Sequence, residues 1–82
     1  MSDFLLLAFD STQQALRAEM MLEYMDIEID LYPTPKQITA GCALCIQFSN
    51  LNLTDVQQLI RKENIEINGI YHQINEGYEK IQ

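Results

Sequence analysis

The stretch IEIDLYPTPKQITAGCALCIQF, residues 27–48, reads as two strands joined by a shaped loop. Ile27, Ile29 and Leu31 alternate with Glu28 and Asp30, the period-two pattern of a strand with one buried and one wet face. Pro33 ends that run, because proline has no N–H to give to a ladder. Alternation resumes beyond the loop. Cys42, Leu44, Ile46 and Phe48 share one face, and Ala43, Cys45 and Gln47 share the other. Both prolines and both cysteines of the chain fall in this stretch, with Gly41 where the loop gives way to the second strand.

Upstream, Phe4 to Phe9 is a near-continuous apolar run, as expected of a central strand covered on both faces. Ser11 followed by Gln14 reads as a capping box that opens a helix. Ala15, Ala18, Leu22 and Met25, with Met21 beside them, then form one apolar stripe. Gln13, Arg17 and Glu23 fall off the stripe and are expected in water. Downstream, Thr54 and Gln57 read as a second capping box. Val56, Leu59 and Ile60 follow at helical spacing, with Asn64 as a left-handed C-terminal residue. Ile65-Glu66-Ile67 opens a last strand, which Asn68-Gly69 bends or bulges and Ile70, Tyr71 and Ile74 continue.

The predicted order is therefore β-α-β-β-α-β. That is the α+β, ferredoxin-like pattern: a four-stranded antiparallel sheet with two helices on one face. Residues 1–74 are expected to form a single domain and residues 75–82 a polar, frayed tail. The first and third strands should be central. The opposite sheet face must stay wet or find a partner, and a homodimer through that face is one way to cover it.

The 82 residues carry a formal net charge of −7, with 48% hydrophobic and 21% charged residues. The acidity argues against general nucleic-acid binding, which relies on Lys and Arg neutralising phosphates, and against adsorption to an anionic membrane. The charge is uneven. Residues 1–30 set seven acids against Arg17, whereas residues 31–62 set Lys36, Arg61 and Lys62 against Asp55. The cysteine-bearing stretch is thus among the least acidic parts of the chain. No signal peptide is read in the N-terminal residues, since Asp3 stands where a basic segment would. No run approaches the roughly 18 apolar residues of a membrane span. The expected location is cytoplasmic, where thiols stay reduced, and the Asn52-Leu53-Thr54 sequon then carries no meaning.

The thiols are the strongest candidates for chemistry. Cys42 and Cys45 form a C-x-x-C, but the redox version sits at a helix N-terminus, and here a strand follows. Extended backbone points the two side chains to opposite faces, where a disulfide cannot close. Two Cys and one His also fall short of a tetrahedral zinc set. Cys45 reads as a packing residue. Cys42 is different: it follows Gly41, whose freedom lets neighbouring N–H groups cradle an anion on sulfur, and Lys36 is the nearest cation in sequence. His72 reads as structural. The acids at 26, 28 and 30 read as the wet face of a strand.

Pro33-Thr34-Pro35-Lys36-Gln37-Ile38-Thr39-Ala40-Gly41-Cys42-Ala43-Leu44 resembles the signature of the selenium/sulfur carrier-like proteins, short bacterial and archaeal chains. Their pattern runs Pro-x-Pro, a basic residue, a Ser/Thr-containing turn, then Cys-Gly before an apolar strand. Ala15-Leu16-Arg17-Ala18-Glu19 and Asn64-Ile65-Glu66-Ile67-Asn68-Gly69-Ile70-Tyr71 are similar to the family as well, so the likeness covers roughly residues 4–72. The sequence departs at Ala43, where the family usually has Gly, and Cys45 has no family role. The resemblance implies a carrier rather than an enzyme, with no cofactor. Cys42 would hold sulfur or selenium as a persulfide or selenosulfide, supported by Pro33, Pro35, Lys36 and Gly41. Its partners would be donor and acceptor proteins. The alternative is a small ligand-binding or regulatory interaction module without covalent chemistry. A thiol–disulfide switch is a third option.

Overall fold

The computed structural model describes residues 4–38, 44–74 and 77–82. It is an α+β structure with two helices and one five-stranded antiparallel sheet. The strands are β1 (Phe4–Ala8), β2 (Ile29–Pro33), β3 (Leu44–Ser49), β4 (Gly69–Ile74) and β5 (Gly77–Lys80). The helices are α1 (Thr12–Tyr24) and α2 (Leu53–Glu63), the second preceded by a 3₁₀ turn over Asn50–Asn52. The order across the sheet is β2-β3-β1-β4-β5. Among the described residues no helix is long and apolar enough to cross a membrane.

Strand β1 pairs with β3 on one side and β4 on the other, with Leu7 opposite both Ile46 and Ile70. Alternation sends Leu5 and Leu7 toward the helices, where they meet Ile46 and Phe48 of β3 and Ile70 of β4. Ala15, Ala18 and Leu22 of α1 and Val56, Leu59 and Ile60 of α2 close the same core. One cluster containing both helices and three strands puts both helices on one side of the sheet. The apolar run of residues 4–9 and the α1 stripe thus lie where the sequence places them, although Met25 at the stripe's end is exposed.

The strand count corrects the four predicted. Residues 77–80, expected to fray with the rest of the polar tail, pair with β4 from Tyr71↔Lys80 to Ile74↔Gly77. The pairing runs on past β5. The Ile70 N–H donates to Gln82 O at 3.1 Å, and the Ile81 N–H donates to Ile70 O at 2.8 Å. Backbone groups of β4 that would otherwise form a bare sheet edge are satisfied this way. Gly69 makes the close approach possible: a Cβ built there would lie 2.8 Å from Gln82 O. The Asn68–Gly69 pair is therefore a point of close backbone contact, and no glycine among the described residues has a positive φ.

Both helices end on the same device. After α1, Asp26 takes φ 60°. The Ile27 N–H donates to Leu22 O and the Asp26 N–H to Glu23 O, each at 3.0 Å. After α2, Asn64 takes φ 53° and ψ 44°, and the Ile65 N–H donates to Ile60 O at 3.0 Å. This pattern satisfies the last carbonyls of a helix and packs an apolar residue just past the turn against one inside it. Ile27 and Ile65 are both buried accordingly. Asp26 thus belongs to the helix end and not to a strand face, and β2 begins only at Ile29.

Neither predicted capping box forms. The side chain of Ser11 makes no capping bond to α1. Gln14 instead accepts from the Glu66 N–H at 3.3 Å. Ahead of α2 the hydroxyl that caps is Ser49, which accepts from the Leu51 N–H at 3.2 Å, while Gln57 bonds Gln82. Arg17 is also not simply solvated. Its Nη2 donates to Glu63 O at 2.9 Å and lies 3.8 Å from Glu63 Oε1. A cation at the last carbonyls of α2 meets unpaired acceptors and the negative end of the helix dipole, so Arg17 ties α1 to the end of α2.

Two expectations follow. Phe48→Ala, which empties a fully buried ring site, should destabilise the protein by about 3–5 kcal/mol, read as a lower urea midpoint at unchanged slope. Gly69→Ala should displace the backbone around Gln82, since a carbonyl cannot move aside as a side-chain end can. Hydrogen exchange at the Ile70 amide should accelerate while exchange in β1 stays slow. Unchanged protection at Ile70 would mean the C-terminal pairing does not hold in solution.

Candidate functional site

The loop singled out by sequence is held at both stems by the β2–β3 ladder, in which Tyr32 pairs with Cys45 and Pro33 with Leu44. Pro33 is therefore the last residue of β2. Pro35 accepts from the Ile38 N–H at 3.0 Å, a turn that carries Lys36 on its exposed side. Gly41 and Cys42, like Thr39, Ala40 and Ala43, lie outside the described residues. The structure thus brings Pro33, Pro35 and Lys36 together at the mouth of the loop, and Leu44 fixes where β3 begins.

Cys45 is fully buried. It stands on the sheet face away from the helices, opposite Ala8 of β1 and Tyr32 of β2. Its thiol lies 3.9 Å from Pro33 O, a long S–H···O contact across the ladder. Its role is to fill the junction between the end of β2 and the centre of the sheet.

A shallow groove of about 180 Å³ crosses this open face, lined by Leu6, Tyr32, Pro33, Pro35, Gln47 and Tyr78 among others. Both prolines of the predicted loop are in its wall. The sequence alone does not point to Tyr78, because it falls in the stretch expected to fray. The available signal is its aromatic ring three residues before Ile81 in an otherwise polar segment. Gln47 was assigned to this face by strand alternation, and it is there, directly opposite Leu6.

The family model described as "Putative Se/S carrier protein-like" matches residues 4–72. The chain belongs to that family. The match runs from the first residue of β1 into β4 and spans the whole proline–cysteine loop; β5 lies outside it. Comparisons with curated proteins and with solved structures returned no match.

The other candidates separate from this loop. His72 lies opposite Leu5 and Glu79 in the sheet and borders a small apolar hollow with Leu53 and Ile81, toward the helix side. Among the described residues no group of three His, Cys, Asp or Glu side chains could hold a metal ion. The acids at 26, 28 and 30 do not form one wet face, since Asp26 and Glu28 border a cleft beside α1 while Asp30 pairs with Gln47.

Burial makes the two thiols chemically distinguishable. In a Cys42→Ser protein, Cys45 should resist iodoacetamide under native conditions and react only as denaturant unfolds the chain, because a buried structural thiol is inert. Rapid native labelling of that variant, read by intact mass, would contradict the packing assigned to Cys45.

Proposed function

We propose that this chain is a non-catalytic sulfur or selenium carrier, with Cys42 as the carrier thiol. Membership of the Se/S carrier-like family over residues 4–72 is the observation that supports the reading. The interleaved strand order, with β3 between β1 and β2 and β1 between β3 and β4, supports reading the first four strands as a ferredoxin-like sandwich to which β5 is added. Such folds host many functions, so the loop and not the fold carries the proposal. The working compartment in this reading is the cytoplasm, where a thiol stays available.

The chemistry needs no oxidant. The Cys42 thiolate attacks the outer sulfur of a donor protein's persulfide. A new S–S bond forms at Cys42, the donor's S–S bond breaks, and the donor cysteine leaves as a thiolate. Delivery repeats the exchange in the other direction, with an acceptor thiolate taking the outer sulfur and Cys42 leaving. A selenosulfide follows the same course. The base for either step belongs to the partner enzyme, which is why the chain needs no general base of its own. Lys36, at the exposed turn beside Pro35, is the cation placed to favour anionic sulfur on this loop, and Gly41 the residue whose neighbouring N–H groups would cradle it.

The test is sulfur loading. Incubation with a persulfide donor should add a mass increment that reductant removes. The increment should persist in Cys45→Ser and vanish in Cys42→Ser. An unloaded wild type, together with a Cys42 that resists alkylation in the folded protein, would sink the proposal. Loss of two hydrogens on mild oxidation would point instead to a disulfide switch.

A further inference from the structure

Strand β2 is an outer strand of the sheet, paired only with β3 among the described residues. Its free edge offers backbone N–H and C=O groups to another chain. Beside it, between β2 and the C-terminal half of α1, runs an open cleft of about 390 Å³. Its polar walls are Glu19, Glu23, Asp26 and Glu28, and its apolar floor includes Ile29 and Leu31. Residues 19–31 contain no Lys or Arg to neutralise those acids. Two apolar side chains of the strand stand in water as well: Leu31 in the cleft and Tyr32 on the open face are both exposed.

We infer that the β2 edge is a docking site for a basic, extended segment of a partner protein, which adds as a sixth strand. Strand addition supplies main-chain hydrogen bonds, and alternate side chains supply the specificity. An added strand would direct every second side chain toward the helix layer, where the cleft is acidic and takes Lys or Arg. Those between would lie on the open face beside Asp30 and Tyr32, where the Tyr32 ring takes apolar residues. A second copy of this chain does not meet the requirement. At a net charge of −7 two copies repel each other as they approach, and a β2–β2 pairing centred on Ile29 or Asp30 would set acid against acid, which is destabilising in a sheet. Charge thus selects a basic partner over self-association. The docking is independent of chalcogen chemistry. Where the carrier reading holds, it states how a donor or acceptor enzyme approaches, because β2 runs directly into the loop at Pro33.

The experiment uses the full chain as Cys42→Ser, so that failure of sulfur loading leaves it untouched. The probe is a labelled ten-residue peptide of alternating Lys and Val, followed by fluorescence anisotropy and amide chemical shifts. Saturable binding is expected, with shifts concentrated in residues 19–33. An alternating Glu-Val peptide should not bind, and a Lys-Val peptide interrupted by proline should bind at least about tenfold more weakly. The double variant Glu23→Lys with Glu28→Lys should also weaken binding by about tenfold. Glu66→Lys with Glu79→Lys, an equal change in net charge placed elsewhere, should stay within about twofold. The inference is overturned by absent binding, by equal affinity for the proline-interrupted peptide, by equal losses in the two double variants, or by sedimentation showing that the chain dimerises through β2.

Discussion

Strand β1 is hydrogen-bonded along both edges, to β3 and to β4, while Leu5 and Leu7 lie under the helix layer. Every other element takes its place from that constraint. A strand with both edges occupied and one face sealed cannot shift register by one residue without turning Leu5 and Leu7 out of the core and Leu6 into it. Fixing β1 fixes β3 through Leu7↔Ile46. β3 in turn fixes β2, and β2 and β3 together fix the two stems of the proline–cysteine loop. The position at which the chain re-enters the sheet, two residues after Cys42, is therefore set by core packing some distance from the loop.

The C-terminal half depends on a second, polar set of contacts around Asn68. Its N–H donates to Ala8 O at 2.7 Å. Its side chain donates to Asp10 at 2.9 Å and accepts from the Tyr71 hydroxyl at 2.6 Å. These bonds hold the start of β4 against the end of β1. Gly69, the next residue, then lets the chain around Gln82 come close enough to cover β4. The two outer edges of the sheet are thus unlike each other. The β4 edge is covered by β5 and the residues after it, whereas among the described residues β2 has Asp30 and a terminal proline as protection against indiscriminate pairing.

The elements legible in the sequence are those whose signal is local and repeated. Alternation in Ile27–Leu31 and Cys42–Phe48, the run at residues 4–9 and the spacing of Ala15, Ala18 and Leu22 each report burial directly, so both helices and the first three strands are readable, whereas the strand expected from Ile65 begins only at Gly69. Asn64 was readable because a left-handed turn favours Asn. Asp26 performs the same task but was hidden, since it continues the alternation of Glu28 and Asp30 and was absorbed into a strand pattern. The capping boxes failed for a tertiary reason: the Gln14 amide finds the Glu66 backbone, a partner distant in sequence. Strand β5 was missed because four residues with two charges carry little pattern, and its stability comes from pairing with β4. For the site, the loop stood out by composition and resemblance. The groove beside it gathers residues from several strands and is visible only once they are in register.

The same strand that bounds the loop also bounds the acidic cleft, so the proposed docking edge and the proposed carrier loop share one backbone. Tyr32 and Pro33 pair with Cys45 and Leu44, and the buried Cys45 thiol rests against Pro33 O. The end of β2 is therefore held firmly to the centre of the sheet. A partner aligned along the outer edge of β2 would be aligned, by the same backbone, with the mouth of the loop. A carrier that must present a small reactive group to more than one enzyme gains from such an arrangement. On the proposed reading, the strand would set the approach of the partner. Cys45 has a packing reason to be a buried, thiol-sized residue, because filling that junction keeps the end of β2 in register with β3.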